Sequence, residues 1–143
     1  MSNSPVQGSS RQDLAALQGQ WEQVGFEEGG LPDQQDEHGG MGAITTIEGC
    51  RFVVHAIRGE LLLEGTFTLD ATVSPKAITW MDAVGVDAGK HLPASYVLDG
   101  DRFVFIAADE GAPRPTVFRT EPGQVMRSFV RKRIAAWRLQ ANP

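Results

Sequence analysis

Gly19-Gln20-Trp21 follows the polar helical pattern around Asp13-Leu14-Ala15-Ala16-Leu17 and opens a strand-like segment from Gln20 to Val24. A glycine stops a helix cheaply because it enters the left-handed region without a Cβ clash. The tryptophan then sets a large ring at the mouth of a first strand. Its candidate partner lies far along the chain, in the arginine-studded run Val125 to Arg133, where Arg127, Arg131 and Arg133 share one strand parity.

Upstream, Ser10 reads as the cap of a short helix, with Asp13 in its acidic first turn. Residues 1–9 read as a disordered tail and residues 10–143 as one domain. Downstream, Glu27 to Gly42 is rich in Gly, Asp, Glu and Gln and has no apolar period. It predicts a long loop of the kind that serves as a lid.

Beyond Gly42, strand patterns recur at the spacing of roughly 8–12 residues expected of barrels and sandwiches. They fall at Ala43–Ile47, Arg51–Ile57, Leu61–Leu69, Ala77–Met81, Ser95–Leu98, Arg102–Ala107, Val117–Thr120 and Gln124–Lys132. Turn chemistry separates them, at Glu48-Gly49, Arg58-Gly59, Asp70 to Pro75, Asp99-Gly100-Asp101 and Glu121-Pro122-Gly123. No helix interrupts the strands, so hairpins between sequence neighbours dominate and a parallel sheet is disfavoured. The expectation is an all-β fold: an up-and-down antiparallel β-barrel of about eight strands, closed so that no sheet edge remains. A short N-terminal helix precedes it, and a short C-terminal helix follows, with Ile134 and Trp137 on one side.

The clearest alternation puts Leu61, Leu63, Gly65, Phe67 and Leu69 on one face, predicted to be interior, and Glu60, Leu62, Glu64, Thr66 and Thr68 on the other. Arg51 to Ile57 is apolar on both faces, so its outer face calls for cover by the terminal helix or a partner. A second copy of the chain is one such cover, which makes a homodimer an allowed state.

Composition narrows the function classes. The 143 residues, 41% of them hydrophobic, suffice for one core. A formal charge of −5, from 18 acidic and 13 basic residues, argues against nucleic acid as a partner. Cys50 is the single cysteine, so no intramolecular disulfide forms. Without a signal-like start or an apolar run of the roughly 20 residues that span a bilayer, the chain reads as cytoplasmic, with no membrane insertion.

Several stretches together resemble the lipocalin and wider calycin architecture, and most closely a planctomycete-type family of lipocalin-like domains. They are Asp13 to Trp21, Glu64-Gly65-Thr66-Phe67-Thr68-Leu69-Asp70, Pro75-Lys76-Ala77-Ile78, Tyr96-Val97-Leu98-Asp99-Gly100-Asp101 and Arg114-Pro115-Thr116-Val117-Phe118. They occur in the family's order. The resemblance implies a barrel with an interior pocket and one closed end, where Gly19, Trp21 and Arg131 form a structural plug, the guanidinium packed across the indole. It carries no activity with it. The chain departs from the family between Met41 and Cys50, at His55 and at Trp80.

On inward faces or at the open rim, the ligand-binding candidates are His55, Phe67, Trp80, Tyr96, Phe103, Phe105 and Phe118. Each aromatic also has the ordinary role of core packing. The leading reading is binding of a small hydrophobic molecule, since a barrel of this size encloses one small ligand. A cyclase or isomerase acting on a hydrophobic metabolite is the first alternative, with proton transfer by Tyr96, His55 or an acidic residue such as Glu64 or Asp82. A protein-interaction domain with a filled barrel is the second. His38, His55 and His91 lack metal-ligand spacing, Cys50 reads as a buried or half-buried thiol, and no glycine run precedes a helix, so neither a metal nor a cofactor is expected.

Overall fold

The computed structural model describes residues 5–32 and 41–132. The helix α1, Pro5–Leu17, leads into β1, Gly19–Glu28, and a two-residue strand β2, Leu31–Pro32. Then follow β3 (Ile44–Glu48), β4 (Arg51–His55), β5 (Leu61–Asp70), β6 (Lys76–Asp82), β7 (His91–Asp99), β8 (Arg102–Ala108) and β9 (Gln124–Arg131). The sheet order is β2-β1-β3-β4-β5-β6-β7-β8-β9, and β1 also pairs with β9. Every pairing is antiparallel, so eight strands close into a barrel and β2 is a spur on the end of β1.

Alternation drives the closure. Leu63, Gly65 and Phe67 point inward on β5 as their period requires, while Leu61 stands exposed at the strand's start. The match to β4 and β6 is tight at Gly65, where a Cβ would come within 2.2 Å of the Met81 carbonyl oxygen and 2.9 Å of the Phe52 ring. Gly65→Ala is therefore expected to lower the unfolding free energy by about 1–3 kcal/mol, the usual cost of overpacking. Urea denaturation checks this, and a stability equal to wild type would mean the strands part more easily than their packing implies.

On β1 the pairing with β9 slips between Gln23 and Gly25, so Val24 is an extra residue. This bulge changes the parity of the strand. Trp21 and Gln23 face inward before it, and Phe26 and Glu28 take the interior side after it, paired with Arg127 and Val125.

Four sequence expectations are corrected. The helix starts at Pro5 and takes residues 5–9 out of the expected tail; Ser10 lies within it, and its Oγ accepts from the Ala71 amide at 3.0 Å instead of capping. Proline suits a first helical position because its missing N–H would have no partner there. The expected long loop begins as a hairpin instead, since Glu27 and Glu28 pair with Pro32 and Leu31. The lid reading falls largely on residues 33–40, outside the described residues, as does the C-terminal helix at 134–139.

Val117–Thr120 is no strand; residues 113–120 form an irregular strap outside the sheet. Arg114 Nη1 donates to Ser95 Oγ at 2.6 Å and to the Pro75 carbonyl at 2.8 Å, and Ser95 Oγ donates to the Pro115 carbonyl. These bonds tie the strap to β7 without a ladder, and the outward-facing Ser95 and Ile106 are buried. Lastly, Cys50 is exposed, in the tight turn that joins β3 to β4.

Candidate functional site

Antiparallel order gives the barrel two ends. The β3–β4, β5–β6 and β7–β8 turns and the end of β9 lie with α1; the other connections lie opposite. At the helix end, Gln18 exchanges bonds with Gly49, its Oε1 accepting from the amide at 2.7 Å and its Nε2 donating to the carbonyl at 3.1 Å. Asp13 Oδ2 accepts from Tyr96 Oη at 2.6 Å and from Lys76 Nζ at 3.0 Å.

The centre of this closed end is Trp21. Its Nε1 donates to the Leu17 carbonyl at 2.8 Å, and the Arg131 guanidinium lies 4.3 Å from its ring centroid. Arg131 also donates to the carbonyls of Ala16 (2.5 Å) and Gln18 (3.0 Å) and to Asp101 Oδ1 (3.0 Å). One cation thus caps the last helix carbonyls, where positive charge is favoured, and covers the indole. Gly19 makes the bend from helix to strand with a φ of 113°, its α-carbon facing the Arg131 guanidinium. Of the three arginines of one parity, Arg131 is the one on Trp21. Arg127 sits further up β9, 4.6 Å over the Phe26 ring, and Arg133 lies outside the described residues.

Above Trp21 the barrel holds a cavity of about 510 Å³. Trp21, Phe52, Trp80, Phe103, Phe105 and Phe129 line it together with aliphatic residues such as Ile47, Val54 and Leu63. Phe103 and Phe105 each stack on Phe129, with centroids 5.6 Å and 5.9 Å apart, and Trp80 reaches across to 4.8 Å from Phe105. The cavity opens at the end opposite α1, because exposed Glu28, Asp109 and Gly123 belong to its lining.

Among the sequence candidates, Trp80, Phe103 and Phe105 come together on this wall. Phe67 is buried behind it, 5.4 Å from the Trp80 ring. Tyr96 is buried at the closed end; burial first, and then its bond to Asp13, push its phenol well above the ordinary value, so it holds its proton. His55 ends β4 beyond a slip in the β4–β5 register, half-buried and outside the lining. Phe118 lies in the outer strap and also outside it. Glu64 keeps its outward parity, whereas Asp82, two residues beyond Trp80, is buried and lines the cavity.

The sequence reading did not single out the polar floor. Gln23 and Arg127 face each other across β1 and β9, with Arg127 Nη1 donating to Gln23 Oε1 at 3.1 Å, both buried and both in the lining, and Thr45 joins them from β3. The Trp21–Gln23 alternation was available as a signal; the bulge that seats Phe26 under Arg127 was not. Two donors in this lining, Gln23 Nε2 and Trp80 Nε1, are buried with no hydrogen-bond partner among the described residues.

At the rim, Glu27 Oε2 accepts from the Thr120 amide (2.7 Å) and hydroxyl (2.5 Å), and that hydroxyl accepts from Gly30 N at 2.7 Å. The Thr120 bonds, hydroxyl before amide, hold the Glu27 carboxyl below its usual pKa. A depressed carboxylate contributes its stability above the unfolded-state pKa and loses it as pH falls through the lower folded value, so acid loosens this tie between β1 and the strap. Comparison with family models, with curated proteins and with solved structures finds no match to this chain.

Proposed function

We propose that the chain is a lipocalin-like, up-and-down barrel that binds a small hydrophobic molecule in its interior. The observation that carries this reading is the cavity of about 510 Å³, within the size range of small-molecule sites, lined by six aromatic side chains among the described residues and open at the end opposite α1. Exposed Met41, Ile57, Leu61, Val84 and Val86 belong to the connections and strand starts of that open end, an apolar border that suits an apolar ligand. Burying about 300 Å² of ligand surface contributes roughly 7 kcal/mol before association costs.

The test uses N-phenyl-1-naphthylamine, an uncharged dye that brightens in apolar surroundings. It is expected to bind wild type, and Ala107→Trp, which projects an indole into the cavity from β8, is expected to weaken it at least tenfold. Val97→Trp, on the outer face of β7, is the control and should leave the affinity unchanged. Equal dye binding by wild type and Ala107→Trp, or none by either, would defeat the proposal.

An enzyme of the cyclase or isomerase type is a second reading, favoured by one observation: Asp82 places a buried carboxylate in the same lining. Asp82→Asn distinguishes the two, since a carrier retains its ligand affinity whereas an acid–base catalyst loses turnover by about 10²–10⁴-fold.

A further inference from the structure

Resting on the ligand-binding reading above, we infer that the ligand class is an uncharged aromatic molecule bearing acceptor oxygens, received by Gln23 Nε2 and Trp80 Nε1. Both residues line the cavity and are nearly inaccessible, with 2% and 6% of their surface exposed, and neither donor has a partner among the described residues. Buried donors are rarely left unmet in a native protein, so an unmet pair in one lining asks for an acceptor. The amide's orientation is set by its own contact: Oε1 takes the bond from Arg127 Nη1, which leaves the NH₂ group as the unmatched side. In the closed ring β1 and β6 are separated by three strands either way, so Gln23 and Trp80 serve opposite walls. A flat ligand with acceptors on two edges matches them.

Charge selects against anions. Among the described residues the lining holds four carboxylates, Glu28, Asp82, Asp87 and Asp109, and one guanidinium, that of Arg127. Asp87 is met by Lys90 at 3.3 Å, which still leaves an excess of negative charge on the approach. Arg127 is engaged with Gln23 Oε1 and the face of Phe26, so it does not stand ready as a carboxylate clamp. The donors therefore call for a neutral acceptor such as a ketone, and the acidic mouth disfavours a carboxylate or phosphate of the same size.

Three probes of one shape test this by isothermal titration and tryptophan quenching: 2-acetylnaphthalene, 2-ethylnaphthalene and 2-naphthoate. The ketone is expected to bind about tenfold tighter than the hydrocarbon, with naphthoate weakest. Gln23→Glu keeps an oxygen for Arg127 and removes the donor, and Trp80→Phe keeps the ring and removes the N–H. Each should weaken the ketone by about threefold to tenfold and shift the hydrocarbon by less than about twofold. Thermal melts of both variants identify any loss that comes from unfolding, and Gln23→Leu replaces a variant that fails to fold. Equal affinity for ketone and hydrocarbon, or tightest binding of naphthoate, overturns the inference while the ligand-binding reading stands. Binding of none of the three, together with failure of the neutral dye, overturns both.

Discussion

Trp21→Ala is expected to lower the unfolding free energy by about 3–5 kcal/mol, the range for truncating a fully buried large aromatic. The ring is 0% exposed and contributes three separate things: packing against Phe103 at 5.7 Å, an N–H for the Leu17 carbonyl, and a face for Arg131. Losing the side chain leaves the Leu17 carbonyl and the guanidinium over a void. Trp21→Phe separates the terms, because it restores most of the packing without the N–H. A double-mutant cycle of Trp21→Phe with Arg131→Leu should return a coupling of about 0.5–2 kcal/mol if the stacking contributes on its own. Urea denaturation with constant m-value is the measurement, and a loss below about 1 kcal/mol for Trp21→Ala would show that the helix plug holds without its tryptophan. From the sequence, Trp21 is expected to act as a purely structural plug. Its place in the cavity lining adds a second effect, because its removal also deepens the cavity floor.

Phe103→Ala is expected to cost about 3–5 kcal/mol as well. Phe103 is the hub of the aromatic core, within 5.6–6.2 Å of Trp21, Tyr96, Phe105 and Phe129, and 2% exposed. It stands between the closed end and the cavity, so the void left by truncation adjoins space that already exists. Collapse around it is hindered by the β-ladder on both sides, where Phe103 pairs with Leu98 and Phe129. Phe103→Leu should cost less than half as much, since a branched aliphatic refills most of the volume. Thermal unfolding of the two variants side by side decides the matter. Equal stabilities for Ala and Leu would mean that ring contacts, rather than filled volume, set the contribution.

Much of the wall of the candidate site was legible along the chain. Trp80, Phe103 and Phe105 alternate with outward residues in segments whose strand character is local, and alternation needs only neighbours to be read. The polar floor was not. Gln23 and Arg127 meet only because β1 and β9 close the ring, and Glu28 lines the mouth only because a bulge at Val24 reverses the parity of its strand. His55 and Phe118 fall outside the lining for related reasons. His55 lies beyond a register slip, and Phe118 lies in a strap tied to β7 by bonds of Arg114 and the Pro115 carbonyl with Ser95 rather than by a ladder.

By itself the sequence determined the strand-and-turn rhythm, the interior face of β5, and the glycine and tryptophan that end the helix and begin the barrel. Each of these depends on residues within a few positions of one another. Only the tertiary structure decided which arginine covers Trp21, that a cavity remains above it, and which polar groups reach that cavity. Those outcomes depend on closure between segments such as Gln18 and Arg131, 113 positions apart, and on two shifts of register that move side chains between faces without changing the pattern in which they are written.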